Sequence, residues 1–264
     1  MVRRHQGMAF MGGAYVFPGG RVDDGDTADD TWCEATDLAA SRFPDLAPAA
    51  AVAHHVAAIR ELFEEAGVLL ARDKNGRMVS LADAGDHERF AKYRKELHAG
   101  HRTLRDVVEG EHLRLALDAL MPWAHWVTPP VEPRRFDTRF FVTSAPENQS
   151  PAHDETETTA GLWIAAAAAL ARATADEIVL PPPTWATLRE LEPFGSVDDV
   201  LTAAAWRPRP LVRREPLFLD QDGTQMLLLA GDPLNPEPLV EELPLETRFV
   251  LFEDGVWRAG RALP

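Results

Sequence analysis

The apolar positions of this chain change period along its length. Through residues 51–70, Val56, Ile59, Leu62, Phe63 and Ala66 recur at i, i+3 and i+4, which predicts a helix with one apolar face. Gly67 is its natural C-terminal stop. Upstream, residues 15–17 read as a short strand, and Pro18-Gly19-Gly20 as a sharp exit from it. A first strand is expected ahead of that turn, either missing or very short in residues 2–6. Residues 23–48 lack a sustained period and read as an inserted loop with one short helix near 32–41. Residues 83–120 keep a helical period with charge, predicting two or three helices joined near Gly100 and Gly110. Strand signals return at 123–128 and 136–143, and a polar loop follows through 144–159. Trp163 leads into an alanine-rich helix, followed by short helices at 184–191 and 197–205. Two hairpins close the chain, turning at Asp222-Gly223 and Asp254-Gly255. Strands alternating with helices, with hairpins added, predict a layered α/β (α+β) fold without internal repeats.

Composition narrows the field. The chain has 264 residues, 45% hydrophobic and 26% charged, an ordinary globular balance for one large domain or two small ones. Acidic residues number 42 against 27 basic, a formal net charge of −15. Such a surface repels phosphate backbones and anionic lipid, so neither nucleic acid nor membrane is expected as a partner. The single cysteine, Cys33, builds neither a disulfide nor a cysteine zinc site and suits a reducing compartment. No apolar run approaches the roughly 20 residues of a membrane span. The first residues lack a signal-peptide core, and a cytoplasmic location is expected.

The chemistry concentrates in Arg60-Glu61-Leu62-Phe63-Glu64-Glu65-Ala66-Gly67-Val68. On a helix, Glu61, Glu64 and Glu65 share the side opposite Ile59, Leu62 and Phe63. Like charges at this spacing cost a few tenths of a kcal/mol per pair. A divalent cation would offset that repulsion, since Mg²⁺ takes hard oxygen ligands. An acidic helix face is usually only a solvated surface. The glycine turn shifts the balance, because bare backbone lets a metal or phosphate approach closely. His54 and His55 on the same helix read as packing or solvent residues. Trp123, Trp126, Trp163 and Trp185 read as core, and Cys33 as inert.

Taken together, these residues resemble the Nudix box, Gly-x5-Glu-x7-Arg-Glu-apolar-x-Glu-Glu-x-Gly-apolar. Gly20 occupies the glycine position, Asp26 the first acidic one, and residues 60–68 match the second half throughout. The spacer at 27–59 is 33 residues where the usual pattern has 7, an insertion of 26. A box interrupted in this way is similar to that of the peroxisomal coenzyme A diphosphatases and their bacterial relatives. Further similarity runs through Trp126-Val127-Thr128-Pro129, Arg134-Arg135-Phe136-Asp137-Thr138 and residues 181–194. In the Arg-x3-Gly-x3-Phe-Pro-Gly-Gly signature of that group, Gly13 is present and Ala9 stands at the arginine position.

The resemblance implies a Nudix α/β/α sandwich with a mixed sheet. Its Nudix domain would span residues 1–180, with insertions near 27–50 and 83–120, and a C-terminal extension at 181–264 would pack on it. It implies hydrolysis of a nucleoside diphosphate conjugate with Mg²⁺ or Mn²⁺. Glu61, Glu64, Glu65 and the Gly19 carbonyl would be metal ligands, and Arg60 would orient a carboxylate of the cluster. Glu157 would be general base or extra ligand, with Glu155 as runner-up. Arg134 and Arg135 would clamp phosphate beside Gly20, unless they are a surface pair next to Asp137. Coenzyme A or acyl-coenzyme A is the first substrate, NADH, ADP-ribose or FAD the alternative, and a non-catalytic ligand sensor the alternative of another class. A homodimer is common in that family.

Overall fold

The computed structural model describes residues 1–7, 11–149, 158–239 and 246–260. In chain order the elements are β1 (Val2–Arg4), β2 (Tyr15–Val16), β3 (Cys33–Glu34), α1 (Thr36–Ser41), α2 (Pro48–Ala66), β4 (Ala71–Arg72), α3 (Ala84–His98) and α4 (Leu104–Gly110). There follow β5 (Arg114–Ala116), β6 (Met121–Val127), β7 (Asp137–Val142), β8 (Thr158–Gly161), α5 (Ala166–Thr174), α6 (Pro182–Leu191) and α7 (Val197–Trp206). The chain ends with β9 (Arg213–Arg214), β10 (Leu217–Gln221), β11 (Thr224–Leu228), β12 (Arg248–Leu251) and β13 (Trp257–Gly260). Helices and strands are mixed as the α/β reading expects. Among the described residues no helix is long and apolar enough to cross a membrane.

Two compact units interleave along the chain. The first gathers residues 1–6, 17–122 and 141–162, and the second holds 7–16, 123–140 and 163–264. At the centre of the first lies α2, which buries Val52, His55, Val56, Ile59 and Phe63 along one face and packs on α1 and α3. That face joins Trp32, Cys33, Leu69, Leu70, Phe90, Val108 and Leu115 in one continuous core. Two short strands reach into this core from either side of α2. Cys33 pairs with Leu115 in parallel, and Ala71 pairs with the same Leu115 antiparallel. β1 and β8 pair antiparallel, Val2 opposite Gly161.

In the second unit β6 lies between β7 and β9, and β10 to β13 form an antiparallel meander. Asp222 and Gly223 both adopt positive φ, 53° and 83°, between Gln221 and Thr224. That is the geometry in which a two-residue loop follows strand twist. Glu190 pairs with both Arg207 and Arg214, whose guanidinium groups lie over the rings of Trp123 and Trp126. Asp232, fully buried, pairs with Arg248 at 2.8 Å.

Four expectations require correction. The helix expected at 51–70 begins earlier, at Pro48, and stops at Ala66, because Gly67 takes φ 71°; Val68, Leu69 and Leu70 are buried but lie outside the helix. Residues 83–120 are not helical to their end. After α4 the alternation of Arg114 with Leu115 is used by strand pairing, and residues 117–119 form one 3-10 turn. The stretch at 23–48 is more than a loop with a helix, since Trp32 and Cys33 are core residues. Trp163 is 71% exposed, whereas Trp123 is buried.

Candidate active site and metal centre

The box helix α2 starts with Pro48 in its first turn, where a missing N–H costs nothing. Its other end carries more detail. The Gly67 N–H donates to the Phe63 carbonyl at 2.9 Å. Arg94 of α3 donates from Nε and Nη2 to the Glu64 carbonyl, at 3.3 and 2.9 Å. A Cβ at Gly67 would lie 2.9 Å from Arg94 Nη1, so the glycine supplies both the left-handed turn and the space for this cap. The guanidinium satisfies a carbonyl left over at the helix end and places positive charge at the negative pole of the helix. The turn bearing Glu64 and Glu65 is thereby fixed.

Arg60 organises the carboxylates. Its Nε and Nη2 donate to the two oxygens of Asp26 at 2.8 and 3.0 Å, a bidentate pair. Nη2 also donates to the Arg21 carbonyl at 2.8 Å, and Nη1 to Glu61 Oε1 at 2.8 Å. Glu64 Oε1 lies 3.5 Å from Nη1 and Asp23 Oδ2 lies 3.6 Å from Nη2. Asp26 is buried and accepts from the Asp23 N–H at 2.8 Å. One guanidinium therefore joins the first acidic position of the box to the helix 34 residues later.

The glycine turn meets the helix from the other side. The Gly19 N–H donates to Glu65 Oε2 at 3.0 Å. A Cβ built on Gly20 would fall 2.2 Å from Glu61 Oε1 and 2.5 Å from its carboxyl carbon. Only a residue without a side chain lets the Glu61 carboxylate occupy its present place.

Burial raises the Glu61 carboxyl above its ordinary range; Arg60 opposes that shift, while Glu64 and Asp26 add to it. Glu64 is likewise raised by burial, against Arg60 and His98. For Arg60, burial works against the charge, but the Asp26 hydrogen bond and the neighbouring carboxylates hold the guanidinium firmly protonated. Crowded, half-buried carboxylates whose anionic form is disfavoured are a donor set suited to a hard divalent cation. Glu61, Glu64 and Glu65 fit such an ion in ligand chemistry. Their oxygens are directed to different partners, Glu61 and Glu64 to Arg60 and Glu65 to Gly19. Among the described residues no group of three or more acidic, histidine or cysteine side chains is gathered closely enough to hold a metal.

The remaining expected residues fall elsewhere. Glu157, Glu155 and Ala9 lie outside the described residues. Arg134 and Arg135 are exposed and belong to the second unit. Arg135 donates to the Thr128 carbonyl at 2.9 Å and pairs with Glu215. Nearby, Asp137 accepts from His125 Nε2 at 2.7 Å and lies near Arg139. His55 is fully buried and Cys33 is inaccessible; burial pushes the Cys33 thiol up to about 12. Arg94 was not foreseen, and no local pattern marks it, since its partner is a backbone carbonyl 30 residues away.

Comparison with known proteins places these observations in a family. The family model described as the NUDT19 Nudix domain matches residues 38–191, more than half of the chain. An acyl-coenzyme A diphosphatase NUDT19 from Xenopus laevis is 27% identical over 90% of this chain and 71% of that protein. The human protein of the same name is 29% identical over 87% of this chain and 69% of that one. Among solved structures, a NUDIX hydrolase from Alicyclobacillus acidocaldarius superposes with a TM-score of 0.62 at 30% identity, covering 76% of this chain and 86% of that one.

Proposed function

The chain belongs to the NUDT19 family of Nudix hydrolases and is a hydrolase of diphosphate bonds, and on that premise we propose that it cleaves coenzyme A or acyl-coenzyme A with Mg²⁺ or Mn²⁺. The observation that carries the reading is Arg60 clasping Asp26 while contacting Glu61 and Glu64, with Gly20 clearing the space beside Glu61. Relatives named for acyl-coenzyme A hydrolysis align over most of the chain.

In this reading Glu61, Glu64 and Glu65, with the Gly19 carbonyl, hold the cation. When bound, the cation neutralises charge on the diphosphate and acidifies water. The protein's own contribution is positional. Arg60 fixes the Glu61 rotamer and keeps counter-charge beside Glu64. Arg94 and Gly67 hold the last turn of α2 still. The Gly19 N–H orients Glu65. Glu157 is assigned as the base that takes the proton from water, with Glu155 as its alternate. Water adds to one phosphorus, the P–O–P bridge breaks, and two phosphomonoesters leave. Coenzyme A gives adenosine 3′,5′-bisphosphate and 4′-phosphopantetheine.

The test is a substrate panel with Mg²⁺ and Mn²⁺, read by mass spectrometry, on wild type and Glu65→Gln. Coenzyme A is expected to yield those two products, and Glu65→Gln to lose turnover by about a thousandfold or more with its circular dichroism unchanged. Full activity of the variant would overturn the ligand assignment. Release of AMP from NADH or ADP-ribose, without coenzyme A cleavage, would move the substrate to the dinucleotide class.

A further inference from the structure

A cavity of about 320 Å³ opens beside Arg60 and Glu64. Ligand sites run from about 300 to 1,000 Å³, so this volume is at the lower end of that range. Its apolar wall is Trp32, Val56, Leu97 and Leu104, and its acids are Asp23, Asp26 and Glu64. Each of those acids is ion-paired to Arg60. His98 and Arg102, at the corner between α3 and α4, also line it.

That corner is built rather than loose. Gly100 takes φ 68°; its N–H donates to the Leu97 carbonyl, and the next N–H, of His101, donates to the Glu96 carbonyl. These two bonds form the Schellman closure of a helix. Thr103 and Asp106 form a reciprocal capping box at the start of α4. Between the two caps, Arg102 lies 4.9 Å above the Tyr93 ring and donates from Nε to Glu96 at 2.6 Å. The guanidinium is thus aimed by two partners, and among the described residues its terminal nitrogens make no hydrogen bond.

Resting on the coenzyme A reading above, we propose that this cavity receives the 3′-phosphorylated ribose of the substrate, with Arg102 and His98 contacting the 3′-phosphate. A guanidinium fork matches a phosphate dianion in geometry and charge. The 3′-phosphate separates coenzyme A from NADH, ADP-ribose and FAD, which share the diphosphate and lack it. The insertion at 83–120 then sets substrate choice while the box helix supplies the chemistry.

Coenzyme A and dephospho-coenzyme A differ by this one group and make the test. The wild-type ratio of kcat/KM for the two is expected to favour coenzyme A. Arg102→Gln is expected to reduce that ratio about tenfold through KM, His98→Gln to reduce it less, and Arg102→Lys to restore part of it. A ratio near one in wild type, or equal losses on both substrates, overturns the proposal. Calorimetric binding of adenosine 3′,5′-bisphosphate against AMP reads the cavity without turnover. If wild type cleaves neither substrate yet prefers the bisphosphate, and Arg102→Gln abolishes the preference, the substrate reading fails and the cavity assignment stands. Equal binding of the two nucleotides sinks the assignment.

Discussion

A methyl group at position 20 would sit 2.2 Å from Glu61 Oε1, closer than any side chain tolerates. Gly20→Ala is therefore expected to displace the Glu61 carboxylate while leaving the fold intact. Since a misplacement of about 1 Å can cost a hundredfold in rate, kcat/KM should fall by about that factor, and thermal melting should move little. His55 is the second residue with a measurable signature. Its ring is packed 5.3 Å from Phe43 and 4.9 Å from Phe141. Nδ1 faces the Ala51 carbonyl at 2.9 Å, so the proton sits there. Burial lowers its pKa to about 4, chiefly by desolvation. An unfolded histidine titrates near 6.5. Between those values the unfolded chain binds the extra proton, so stability is full above about pH 6.5 and is lost as pH falls toward 4. Urea titrations at pH 7 and pH 5 should show wild type losing roughly 2 kcal/mol more than His55→Phe.

These residues also mark what could be read from the chain alone. The placement of Glu61, Glu64 and Glu65 on one helix was legible because local apolar spacing marks α2. Arg94 was not, because its acceptor is main chain brought near by packing. Gln149 was equally hidden, inside a stretch read as a polar loop.

At the scale of elements, Gln149 acts as a substitute for a missing strand neighbour. Its Oε1 accepts from the Leu69 N–H at 2.8 Å, and its Nε2 donates to the carbonyls of Leu69 and Val79 at 3.0 and 2.9 Å. Gln149→Ala leaves a buried N–H at Leu69 without its acceptor, at a cost of about 1–3 kcal/mol, which urea denaturation would register as a lower midpoint. The hairpins at Asp222-Gly223 and Asp254-Gly255 were readable because turn chemistry is local. β5 was missed because three residues pairing with two distant strands, β3 and β4, leave no period of their own. Trp163 was misjudged for a related reason, since residue type alone does not say which aromatic finds a neighbour.

At the scale of the molecule, the formal charge of −15 opposes a substrate that is itself a polyanion. Screening shortens that repulsion to about 10 Å at 0.1 M salt. With the cation saturating, kcat/KM for coenzyme A is expected to rise about two- to threefold between 20 and 200 mM KCl. A steep fall instead would mean that local positive groups dominate approach. The two interleaved units exceed what sequence periodicity can convey, because a strand such as β6 carries no mark of which neighbours its ends will choose.

The clasp between Asp26 and Arg60 has one more consequence. It turns everything from position 27 to 59 into a closed circuit whose two ends meet at a single guanidinium. The entropy of closing such a circuit grows only with the logarithm of its length, about 0.6 kcal/mol for each doubling. A chain with this fastening can carry a long segment in that interval while its three glutamates keep the same footing.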